Sequence, residues 1–87
     1  MMMKSLMDEF SESKKLAVEE NKWEAAQTFE QFVSYTNLGH QKTPVELLEF
    51  LYTQVNKFRS LNVSEEQEEA LQEIEVILAM YSDDYAS

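Results

Sequence analysis

The sequence predicts an all-α protein, a small antiparallel bundle of three or four helices. Three observations predict it. The 87-residue chain contains one Gly and one Pro, whereas a sheet protein needs turn residues that are missing here. Its apolar residues make up 44% of the total, enough for one modest core and too many for a disordered chain. They recur at helical rather than alternating spacing. A chain of this length makes one domain, residues 1–87.

Residues 4–38 contain neither Gly nor Pro. They satisfy either one long helix, about 50 Å at 1.5 Å per residue, or two helices at about 4–20 and 22–38. Leu6, Phe10 and Ala17 share one face. Ala25, Phe29, Phe32 and Val33 share another, and the polar stretch from Glu19 to Lys22 lies between. Asn21 with Glu24 resembles a capping box. A kink or break near residue 21 is therefore expected. Trp23 and Tyr35 sit off the main stripe of this segment. A broken helix would pack them on the first half; exposed, they would be aromatics of the kind enriched at interfaces.

Gly39 should end the preceding helix in a left-handed conformation. His40 beside it would reach the last carbonyls of that helix. Thr43-Pro44-Val45-Glu46 then opens the next, over about 44–60. Thr43 is an N-cap, Pro44 takes the first helical position where its missing N–H costs nothing, and Glu46 completes a capping box. Val45, Leu47, Leu48, Leu51, Tyr52, Val55 and Phe58 cover nearly half of this helix, with Phe50 and Leu61 widening the arc. Such a helix is expected to be central.

Ser64 with Gln67 caps the last helix, over about 65–82. Ala70, Leu71, Ile74, Ile77, Leu78, Tyr81 and Tyr85 fall on one arc of about 120°, a core-facing stripe. Short loops make neighbouring helices antiparallel.

Charge is distributed unevenly. The formal net charge is −10. Residues 61–87 hold eight acidic residues and no basic one, so they carry −8 of it. Such a field repels nucleic acid and anionic membrane and attracts basic protein surfaces. Direct nucleic-acid binding and membrane binding are not expected.

Chemistry-bearing patterns are few. With no cysteine there is no disulfide, thiolate metal site or thiol nucleophile. His40 is the one histidine, and no nucleophile-elbow motif accompanies it. Glu66/Glu69 and Glu69/Glu73 lack the Asp/Asn alternation and central Gly of a calcium loop, and the Glu-x-x-His of di-metal bundles is absent. No catalytic residue, metal site or cofactor is expected, and the protein is not expected to be an enzyme. No run of about 18 apolar residues exists to span a membrane. Met1-Met2-Met3-Lys4-Ser5-Leu6-Met7 is cut short by Asp8 and Glu9 and does not read as a signal peptide, so the expected compartment is cytoplasmic. Met1, Met2, Met3, Leu6, Met7 and Phe10 form an apolar tip suited either to adaptable contacts or to a frayed end.

One constellation on the last helix remains. Glu65, Glu68, Glu69, Glu73, Glu75 and Asp83 lie outside its core arc, and Val76, Ala79 and Met80 fall among them. Its plainest reading is a solvated face that keeps the protein soluble. The sharper reading is a partner-binding site of Glu65, Glu68, Glu69, Glu73, Glu75, Val76, Met80 and Asp83. There an apolar centre supplies affinity and a charged rim supplies association rate. The protein would then be a small acidic binding module that occludes a basic surface on a nucleic-acid-handling protein, an inhibitor of the kind phages and mobile elements use in counter-defence. The alternative is a dimeric structural, adaptor, chaperone or immunity-type bundle, with Val76 and Met80 buried in a homodimer.

Overall fold

The computed structural model describes the backbone of residues 5–86 and the side chains of residues 5–83. Met1, Met2, Met3 and the Tyr85 side chain, included in the expectations above, lie outside the described residues. Four helices follow one another: α1 (Leu6–Glu19), α2 (Trp23–Leu38), α3 (Pro44–Arg59) and α4 (Glu65–Ala86), with no strand among the described residues. The all-α bundle expected from the sequence is the fold observed.

The ends of the helices explain the path of the chain. Ser5 caps α1 by accepting the Asp8 N–H at 3.1 Å. α1 stops at Asn21, whose φ of 61° is the one positive value among the described non-glycine residues. The Lys22 N–H then reaches the Ala17 carbonyl at 2.8 Å, and the Asn21 N–H reaches Val18 at 3.0 Å. This bond pair is a Schellman motif with asparagine in its left-handed position. The first segment is thus two helices and not one.

Asn21 therefore closes α1 and does not open α2, so the capping box expected with Glu24 does not form. The N-cap of α2 is Lys22, which makes no side-chain cap. Instead the Glu66 carboxylate, reaching across from α4, accepts the Ala25 N–H at 3.1 Å. Glu24 turns outward to accept the Ser64 hydroxyl at 3.1 Å.

Gly39 corrects a second expectation. Its φ is −93°, so it closes α2 in a conformation open to any residue. Space is tight here: a Cβ would lie 2.7 Å from Leu47 Cδ1, the end of a side chain that would have to shift. His40 Nδ1 lies 2.9 Å from the Asn37 carbonyl, as expected, and that contact assigns its proton to Nδ1. The other two capping boxes form. Thr43 and Glu46 exchange side-chain and backbone bonds, as do Ser64 and Gln67 at 3.1 and 2.8 Å.

The buried stripes are those read from helical spacing. Leu6, Phe10 and Ala17 on α1 meet Ala25, Phe29 and Phe32 on α2, Leu48, Leu51 and Val55 on α3, and Leu71, Ile74 and Leu78 on α4. Leu6 and Phe10 belong to the core and not to an adaptable tip. Phe32 links three helices: its ring lies 6.2 Å from Phe10, 5.3 Å from Tyr35 and 6.4 Å from Phe58. Tyr35 turns toward Phe50 of α3, at 6.3 Å, and not toward α1.

The Lys14–Glu30 pair at 3.0 Å shows α1 and α2 antiparallel, and Arg59–Glu68 at 2.8 Å does the same for α3 and α4. α2 and α4 run side by side with their N-termini together, joined by Glu66 and Glu24. α1 and α3 flank this pair on opposite sides without approaching each other. The central helices are α2 and α4, and not α3 as its broad apolar arc suggested. On α3, Val45 is exposed and Leu47, Phe50, Tyr52 and Phe58 are only half-buried. Ala25 of α2 and Ala70 of α4, both buried, face each other where these two helices meet.

Candidate protein-docking face

At 100° per residue, α4 presents three strips besides its buried one. The strip facing α3 carries Glu68 and Glu75, and the strip facing α1 and the start of α2 carries Glu66 and Glu73. Pointing away from the bundle are Glu65, Glu69, Val76, Ala79, Met80 and Asp83. The eight residues predicted as one docking site are divided among these strips.

Glu68 and Glu75 are engaged within the fold. Arg59, the last residue of α3, donates Nε and Nη2 to Glu68 at 2.9 and 2.8 Å. The same Nη2 donates to Glu75 Oε1 at 2.6 Å. All three side chains are about one-third exposed. Hydrogen bonds donated to Glu75 and then to Glu68 hold the Arg59 pKa well above its ordinary value, and the bond accepted from Arg59 holds the Glu68 carboxyl below its own. Tyr52 nearby is raised, first by burial and then by the charges of Glu75 and Asp83. Glu68 and Glu75 are thus half-neutralised members of the α3–α4 seam.

Sequence reasoning missed Arg59, although a signal existed. Residues 60–64 form a short antiparallel connection, and Arg59 and Glu68 stand near its two ends, where facing side chains meet. Glu66, which helical spacing gives no role across the bundle, caps α2.

Glu73 accepts the Ser13 hydroxyl of α1 at 3.3 Å and remains exposed. Glu65, Glu69 and Asp83 are exposed and make no hydrogen bond or ion pair among the described residues. Val76 is 59% exposed and Met80 54%, so none of the other described helices covers them. At 1.5 Å per residue the face spans about 27 Å from Glu65 to Asp83. Its first half is acidic, its second half is apolar, and Asp83 closes the far end. No Lys or Arg occurs on α4.

Between this face and α1 lies a half-open cleft of about 170 Å³, into which Glu69 and Glu73 both look. A second, shallower groove of about 300 Å³ runs beside Trp23, Val18 and Ala26. Trp23 rests along the α1 edge there but stays 58% exposed. No three of the described Asp, Glu and His side chains converge as metal ligands would, and no described helix is long and apolar enough to cross a membrane. Compared with family models, with curated proteins and with solved structures, the chain matches none, so its function rests on its own geometry.

Proposed function

We propose that this protein is a small acidic binding module, not an enzyme, that docks through the outward strip of α4 and the adjoining Glu73 onto a basic surface of a partner protein and occludes it. One observation carries the reading: the exposed Val76–Met80 pair shares a helix face with carboxylates that have no counter-ion among the described residues. The active surface is narrower than the sequence suggested. It comprises Glu65, Glu69, Glu73, Val76, Met80 and Asp83, because Arg59 already holds Glu68 and Glu75. The negative end of the α4 dipole lies beside Met80 and Asp83 and strengthens the field there.

A basic surface of this size is the usual property of a protein that handles nucleic acid. An acidic occluder of such a groove would act as a competitive inhibitor, the role expected of a phage or mobile-element counter-defence protein. A symmetric homodimer through the same face would set carboxylates against carboxylates with no Lys or Arg on α4 to offset them, a cost that grows as salt falls.

The test is capture from a lysate of the encoding organism by wild-type protein and by the Glu69→Lys/Glu73→Lys variant, followed by binding kinetics on the partner identified. The reversals should lower the association rate and leave the helical circular dichroism unchanged, and added salt should weaken wild-type binding. Equal capture and equal kinetics for both proteins would remove α4 as the docking surface. Sedimentation that gives a dimer held through Val76 and Met80 would establish the assembly role instead.

A further inference from the structure

We propose that the cleft between α1, α2 and α4 is a socket for a single arginine side chain of the partner. The inference rests on the reading of α4 as the docking face and specifies the chemistry that the face recognises. The cleft opens where α4 leans over the α1–α2 turn. Its floor is apolar: Ala17, Ala25 and Ala70 are buried, and Phe29 closes the end. Three alanines at the convergence of three helices leave the space unfilled. Its volume is about 170 Å³; a cavity of roughly 150 Å³ holds a benzene, six heavy atoms, the scale of one long side chain.

The rim is anionic. Glu69 and Glu73 stand on the α4 side and Glu20 on the α1 side. Lys22 also lines the opening, with its ammonium 3.5 Å from Glu20, so the net charge of the rim is carried by Glu69 and Glu73. Glu69 has no partner among the described residues. The Ser13 hydroxyl, buried in the wall, spends its proton on Glu73 and keeps its oxygen lone pairs for a further donor. Two carboxylates and a hydroxyl oxygen offer acceptors only. A planar fork of five N–H donors matches that set better than a compact ammonium, and its methylene stem matches the alanine floor.

The molecule already contains the corresponding arrangement on the opposite flank of α4. There Arg59 places its guanidinium between Glu68 and Glu75, with N···O distances of 2.6 to 3.1 Å. That internal pairing shows that carboxylates spaced along this helix bind a guanidinium lying in a helix–helix groove. The cleft under Glu69 and Glu73 offers the same chemistry to a guanidinium from outside.

The test is a titration of isotope-labelled full-length protein with N-acetyl-arginine amide, with the neutral isostere N-acetyl-citrulline amide as control. Two charge-matched variants accompany the wild type: Glu69→Gln/Glu73→Gln at the cleft, and Glu65→Gln/Asp83→Asn on the same face outside it. Glutamine at 73 still accepts the Ser13 hydroxyl, so the fold should persist. Saturable amide shifts at Ser13, Ala17 and Ala70 are expected with the arginine probe and not with citrulline. The affinity should fall roughly tenfold or more in the cleft variant, the scale of a lost charge-assisted contact, and hold in the other. Absence of saturable shifts at the cleft, or equal loss in both variants, overturns the socket. Neither result touches the broader reading, which fails if charge reversal on α4 leaves partner capture and kinetics unchanged or if the face is buried in a dimer.

Discussion

Arg59 Nη2 lies 2.6 Å from Glu75 Oε1, and that one contact decides how much of the charge of α4 is presented to solvent. The same guanidinium bridges Glu68 two helical turns earlier. The seam between α3 and α4 is therefore closed by a forked ion pair laid over the apolar contacts beneath it. Removing the arginine would leave two carboxylates facing each other at the seam. We expect Arg59→Met to destabilise the fold by about 1 kcal/mol, the upper end for a partly exposed pair. Arg59→Lys should recover only part of this, because an ammonium loses the fork. Urea midpoints compared at constant m-value check both.

The pH dependence of that pair follows from its carboxylate side. Arg59 lowers the Glu68 pKa below its ordinary 4.5. A depressed carboxylate contributes stability that is whole above its unfolded-state value and is lost as pH falls through its folded-state value. The stability difference between wild type and Arg59→Met should be constant from about pH 8 to about pH 6 and shrink by about pH 3. A difference that persists in acid would assign the effect to packing of the arginine stem instead.

Asn21 makes the break between α1 and α2 testable. At φ 61° a Cβ-bearing residue without asparagine's local hydrogen bonding is strained. Asn21→Ala should cost about 1 kcal/mol, while Asn21→Gly should be neutral or slightly stabilising. Thermal midpoints of the two variants should fall on opposite sides of, or one below and one at, that of the wild type. If Asn21→Ala were harmless, the Schellman turn would not be what ends α1.

Gly39 makes the opposite case. Its φ of −93° suits alanine, but the added Cβ would meet Leu47 Cδ1 at 2.7 Å, the flexible end of a half-buried side chain. Gly39→Ala should cost about 1 kcal/mol, the low end of overpacking. The cost should disappear in a Leu47→Ala background, a non-additivity that a double-mutant cycle measures. A cost that survives in that background would point to the backbone rather than to the contact.

Phe32 is fully buried and touches aromatic rings from α1, α2 and α3. Phe32→Ala should cost about 3–5 kcal/mol, comparable with the whole stability of a domain this small, about 5 kcal/mol. The variant should lose its cooperative thermal transition, whereas Phe32→Leu should retain one at lower temperature.

Much of this molecule was legible in its sequence, because helices are encoded locally. The scarcity of Gly and Pro, the buried stripes from Leu6 to Leu78, and the Thr43–Glu46 and Ser64–Gln67 caps all depend on residues within a few positions of one another. So does the lopsided charge, which is a property of composition. What the sequence left open was which distant groups meet. Only the tertiary structure decided that Arg59 takes Glu68 and Glu75 away from the outward face, and that Glu66 caps α2 from across the bundle. It also decided that Leu47 crowds the position of Gly39, and that three alanines from separate helices converge into one cleft. These are relations between side chains of different helices, and helical periodicity says which way a residue points on its own axis but not what stands opposite it.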